Sequence, residues 1–84
     1  MRLDKYLKVS RLIKRRTVAN EVSDKGKIFV NGNIAKPSKL LKVGDIIKID
    51  RGKYSTTVKV LIIPENNVSV QQAPTLYSVV EDNV

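Results

Sequence analysis

The chain has 84 residues and a mass of 9.4 kDa, with 42% hydrophobic residues, no cysteine and no histidine. That allows one small domain with one modest core, and it excludes disulfides, zinc sites of the usual Cys/His kind, thiol nucleophiles and imidazole bases. The net charge of +8 is unevenly spread: residues 1–59 hold all sixteen Lys and Arg against five acids, a net of +11, whereas residues 60–84 hold three acids and no base.

Residues 2–9 read as a short helix. Leu3 and Leu7 share one face at i,i+4, with Arg2, Lys5 and Lys8 on the side away from them. Asp4 lies in the first turn, where a negative charge suits the helix dipole. Ser10 to Arg15 reads as a tight, strongly basic connection. A second helix is predicted from about Arg16 to Lys25, with Val18, Ala19 and Val22 as its apolar face, Arg16 and Asn20 as i,i+4 neighbours, and Gly26 as its stop.

The remainder reads as strands. Ile28-Phe29-Val30, Asn31-Gly32 and Asn33-Ile34-Ala35 predict a hairpin with a type I′ turn, because both central residues need positive φ. Pro37-Ser38 ends that element. Val43-Gly44-Asp45 predicts a turn into a strand at Ile46–Asp50, and Arg51-Gly52-Lys53 the next turn. Thr56–Ile63 is β-rich, with Val58, Val60 and Ile62 expected on one face. Pro64–Asn67 breaks it, residues 65–75 stay undecided between structures, and Leu76–Val80 is expected as a last short strand before a frayed acidic end.

Function is legible first in the charge. Residues 1–16 carry seven basic residues against Asp4 alone, so the N-terminal half should attract a polyanion, nucleic acid above all. A solvated basic face is the plainer alternative for any single residue, though not for the set. A basic amphipathic N-terminus that binds anionic membrane or an acidic protein is the rival from another class. No apolar run reaches the roughly 18 residues of a membrane span, and the N-terminus lacks a signal-peptide core, so a cytoplasmic protein without a membrane partner is expected. Nothing assembles a nucleophile, base and oxyanion site, nor a phosphate-cradling Gly-rich loop, so no enzymatic activity, catalytic residue, metal or cofactor is expected. Asp45 and Asp50 read as turn residues rather than a carboxylate pair. Tyr6, beside Leu3 and Leu7, and Phe29 are expected in the core, although Tyr6 also suits stacking on a base.

The order of these features carries a resemblance. Arg2-Leu3-Asp4 opens a helix; Ser10-Arg11 and Lys14-Arg15-Arg16 precede a second; then come Gly26, Val30-Asn31-Gly32, Lys36-Pro37-Ser38 and Val43-Gly44-Asp45-Ile46-Ile47. Over about residues 2–50 this resembles the S-four-type RNA-binding domain family, named after a small-subunit ribosomal protein. It is nearest to that family's short stand-alone members in ribosome-associated quality control, and second to its heat-shock-type members. The resemblance implies an α+β fold, two N-terminal helices packed on a small curved antiparallel sheet. It implies an RNA-binding domain, expected at residues 1–63; residues 64–84, with Pro64 and Pro74, follow the family only loosely and are expected as a C-terminal extension carrying the short strand read at Leu76–Val80.

The same resemblance implies binding to the large ribosomal subunit obstructed by peptidyl-tRNA, through large-subunit ribosomal RNA and P-site tRNA. It also implies support of a partner factor that adds alanine to stalled chains, and a monomer off the ribosome. Arg2 and Arg16 match family positions that face RNA and rank first among expected contacts. Arg11, Lys14 and Arg15 follow, since Arg forks grip phosphate bidentately and stack on bases. Lys5, Lys8, Lys36 and Lys39 complete the set. Arg51 and Lys53 are left out as turn residues. The sequence departs from the family at Lys14-Arg15, where many members carry a hydroxyl cap for the second helix.

Overall fold

The computed structural model describes residues 1–83. Two helices, α1 (Leu3–Val9) and α2 (Arg16–Asp24), precede strands β1 (Ile28–Val30), β2 (Asn33–Ile34), β3 (Ile46–Asp50) and β4 (Ser55–Val60). A 3₁₀ turn (Ala73–Leu76) then leads into β5 (Tyr77–Asn83). The strands form one antiparallel sheet in the order β2-β1-β3-β4-β5, so the α+β architecture is the one expected.

Local chemistry sets the element ends. α2 finishes in a Schellman motif, with the Gly26 N–H donating to the Ser23 carbonyl and the Lys27 N–H to that of Val22. Gly26 sits at φ +75, where a residue with a Cβ is strained. The hairpin turn is built as predicted, with Asn31 at φ 52 and Gly32 at φ 86. The Asn31 amide also donates to Asp45 (3.0 Å) and accepts from the Ile46 N–H (2.9 Å), pinning the hairpin tip to the start of β3. α1 ends differently. Arg11 takes φ +62 at the position where Gly is preferred, and its N–H donates to the Lys8 carbonyl while the Ile13 N–H reaches that of Leu7.

The core lies between the helix pair and one sheet face. Leu3, Tyr6 and Leu7 of α1 and Ala19 of α2 cluster with Ile28, Val30, Ile47, Ile49, Val58 and Val60. Each fully buried aliphatic side chain contributes about 1.5–3 kcal/mol. Tyr6 is wholly buried and donates a 2.7 Å hydrogen bond to the Leu76 carbonyl. Burial, then the neighbouring Tyr77, push its phenol well above the ordinary value, and it is not available to stack on a base.

Several expectations are corrected. Val18 is 40% exposed, because α2 faces the core through Ala19 and Val22. Phe29 is half-buried on the outer sheet face, since Ile28 and Val30 point inward and strand side chains alternate; the Lys48 ammonium lies 5.9 Å from its ring centre. β4 ends at Val60 rather than Ile63, because the Leu61 and Ile62 N–H groups both turn to the Leu76 carbonyl, which leaves Ile62 49% exposed. Leu76 closes the 3₁₀ turn instead of opening a strand. β5 runs to Asn83 along β4, with a register shift opposite Thr57/Val58, so Glu81 and Asp82 belong to a ladder rather than a frayed end. Val84, the rest of that expected end, lies outside the described residues.

Candidate functional site

The first turn of α1 is tied down from outside. The Leu3 N–H donates to the Lys39 carbonyl (2.8 Å), the Asp4 N–H to that of Pro37 (3.1 Å) and the Leu41 N–H to that of Met1 (3.0 Å), with a β-bridge between Arg2 and Leu40. The segment carrying Lys36 and Lys39 is thereby held beside Arg2. Arg2 caps α1 and Arg16 opens α2, so the packing of the two helices brings the two guanidiniums to one place.

Their meeting point is Asp4, whose side chain is only 3% exposed. Its Oδ1 accepts from the Lys5 N–H (2.8 Å) and Arg16 Nη2 (3.5 Å); its Oδ2 accepts from Arg2 Nη2 (3.2 Å) and the Asn20 amide (3.4 Å). Burial alone would raise this carboxyl. The Asn20 amide, the Lys5 N–H and the Arg16 and Arg2 charges outweigh it, and the group sits below the ordinary aspartate value of 3.8. The two arginines remain 46% and 48% exposed.

Shallow hollows surround the cluster. One, of ≈410 Å³, is lined by Asp4, Arg16, Thr17, Asn20 and Glu21. A groove of ≈560 Å³ runs from Arg2 and Asn20 past Asp24 to Lys36 and Ser38, and Lys36 and Lys39 border a third hollow of ≈350 Å³. All are open, and each is bordered by at least one cation (Arg16, then Arg2 with Lys36, then Lys36 with Lys39), a form suited to an extended ligand rather than an enclosed small molecule. Among the described residues, no group of His, Cys, Asp and Glu could hold a metal ion, and no helix is long and apolar enough to cross a membrane.

The nine expected site residues therefore separate. Arg2, Arg16, Lys36 and Lys39 border the Asp4 cluster and its grooves. Lys8, Arg11, Lys14 and Arg15 are exposed at the far end of α1 and along the connection, and Lys5 is half-buried. Arg15 caps α2 without a side-chain hydrogen bond. The apolar face of α1 is committed to the core through Leu3, Tyr6, Leu7 and Val9, which leaves it unavailable for a membrane surface.

Two residues escaped the sequence reading. Asp4 suits the helix dipole by its place in the first turn, but i,i+3 spacing to Leu7 also turns it inward. Arg51 is no idle turn residue: its Nη2 donates to the Leu12 carbonyl (3.0 Å), its Nε to Thr56 (3.3 Å), and its guanidinium lies 5.8 Å from the Tyr54 ring centre. It braces the basic connection from below. No spacing rule links positions 12 and 51, so the sequence held no signal for that contact.

Comparison with known proteins matches residues 1–47 to the family model described as S4 domain. The "RQC P-site tRNA stabilizing factor" of Listeria monocytogenes is 51% identical over 82 residues, 98% of this chain and 88% of that protein. The "Heat shock protein 15 homolog" of Haemophilus influenzae is 31% identical over all of this chain but 64% of its own length. The solved trimeric structure of Vibrio cholerae Heat Shock Protein 15 superposes with a TM-score of 0.86 at 33% identity, covering 94% of this chain and 80% of that one.

Proposed function

The chain belongs to the S4 domain family, and from that membership we propose that it is a non-enzymatic RNA-binding protein of ribosome-associated quality control. It binds the large ribosomal subunit obstructed by peptidyl-tRNA, through large-subunit ribosomal RNA and the P-site tRNA. It thereby supports a partner factor that extends the stalled chain with alanine. It works in the cytoplasm and is a monomer off the ribosome. Residues 1–63 form the RNA-binding unit and residues 64–84 a C-terminal extension.

The observation that carries this reading is the convergence of Arg2 and Arg16, drawn from two helices and both half-exposed, beside the segment of Lys36 and Lys39. Guanidiniums so placed can grip phosphates bidentately. Arg11, Lys14 and Arg15 extend the contact along the connection, with Lys5 and Lys8 at its margin. The ribosomal setting is supported by the name of a relative that matches 98% of this chain.

The test is retrieval of the tagged protein from its native cells, with sequencing of bound RNA. Large-subunit ribosomal RNA and tRNA should be recovered, with little small-subunit RNA. Arg2→Ala/Arg16→Ala should keep its fold and weaken co-sedimentation with large subunits; unchanged co-sedimentation would sink the residue assignment. A general heat-shock-type ribosomal role is the second reading, favoured by the match of the whole chain to the Heat shock protein 15 homolog. Recovery independent of stalling would select it.

A further inference from the structure

We infer that Asp4 is a positioning residue for the RNA contact: from beneath the surface it holds the Arg2 and Arg16 guanidiniums side by side, so that together they receive adjacent phosphates. This rests on the RNA reading above.

Asp4 is the one charged residue buried in the core region among the described residues. An acid placed under a cationic face opposes polyanion binding by its charge, so its presence there calls for a compensating role. The geometry supplies one. Arg2 and Arg16 each reach Asp4 through a single Nη2, one to each carboxylate oxygen. The other N–H donors of each fork remain free for phosphate. Without the carboxylate, two long cationic side chains on different helices would repel and spread over many rotamers. The Asn20 amide and the Lys5 N–H hold the carboxylate itself from two further sides.

Coulomb attraction and positioning predict opposite signs for Asp4→Asn. This change removes one negative charge from beneath the face, so charge alone would tighten binding, whereas loss of positioning weakens it. The experiment measures equilibrium binding to isolated large ribosomal subunits carrying peptidyl-tRNA, at a temperature where each variant is folded by circular dichroism. Asp4→Asn should lower affinity about tenfold in the otherwise unaltered chain. In the Arg2→Ala/Arg16→Ala background it should cause no further loss, because nothing remains to position. Binding as tight as or tighter than that of the unaltered chain overturns the inference. So does an equal loss in both backgrounds, which would mark a general structural role. If Asp4→Asn does not fold, Asn20→Ala carries the test, since it loosens the carboxylate and leaves every charge in place: a several-fold loss supports positioning and no change overturns it. Failure of the unaltered chain itself to bind overturns the RNA reading and this inference with it.

Discussion

At the scale of single residues, Arg11 occupies a backbone position that stability alone would give to glycine. A left-handed backbone costs a non-glycine residue about 1–2 kcal/mol, and Arg11 accepts that cost at φ +62. Strain of this kind concentrates at functional positions. Arg11→Gly should therefore raise stability by about 1 kcal/mol, a Tm increase of about 4–8 °C for a domain this small, while weakening subunit binding. Thermal unfolding and co-sedimentation on the same variant check both halves. Asp4 bears on acid stability. Its folded value lies below the ordinary 3.8, so the unfolded chain takes up the proton more readily. The stabilisation is complete above about pH 5 and is lost as pH falls through the folded value. Urea midpoints of the unaltered chain and Asp4→Asn, compared from about pH 6 to about pH 3, should converge in acid; a constant gap would count against the linkage.

At the scale of elements, the chain closes its core with a segment remote in sequence. The Leu76 carbonyl accepts from the Tyr6 hydroxyl and from the Leu61 and Ile62 N–H groups, so α1, the end of β4 and the 3₁₀ turn meet at one atom. Tyr6→Phe would leave that carbonyl with two donors. Its cost should then sit near the ordinary net value of about 1 kcal/mol for a hydrogen bond rather than at the larger penalty of an orphaned group. Chemical denaturation measures the loss, and amide hydrogen exchange should quicken first in residues 76–80. A global change with no local bias there would argue against the anchor.

At the scale of the whole molecule, a net charge of +8 sits on a body of only 29 × 23 × 21 Å. The Debye length at physiological salt is about 8 Å, so the field of such a cationic body acts at close range and is weakened by added salt. Binding to large subunits should weaken steeply with salt, each neutralised phosphate contributing about −0.7 to −0.9 to the slope of log K against log salt. Arg2→Ala/Arg16→Ala should flatten that slope by roughly 1.5, and Asp4→Asn should leave it unchanged. A slope that the double variant does not alter would place the phosphate contacts elsewhere.

The helix pair, the Gly26 stop, the Asn31-Gly32 turn and the basic N-terminal half are legible in the order of residues. Those features depend on residues within a few positions of each other, through φ preference, i,i+4 spacing and charge. The outward turn of Phe29 was also open to inspection, since Ile28 and Val30 claim the opposite face. Tertiary structure alone decided that Asp4 lies beneath Arg2 and Arg16, that Arg51 braces Leu12, that β4 yields at Val60 and that β5 carries the backbone through Glu81 and Asp82. Each of these depends on a partner 12 to 39 positions away. The reason is physical: local geometry is set by the chain's own bonds, whereas burial and hydrogen-bond satisfaction are set by what the folded chain brings alongside.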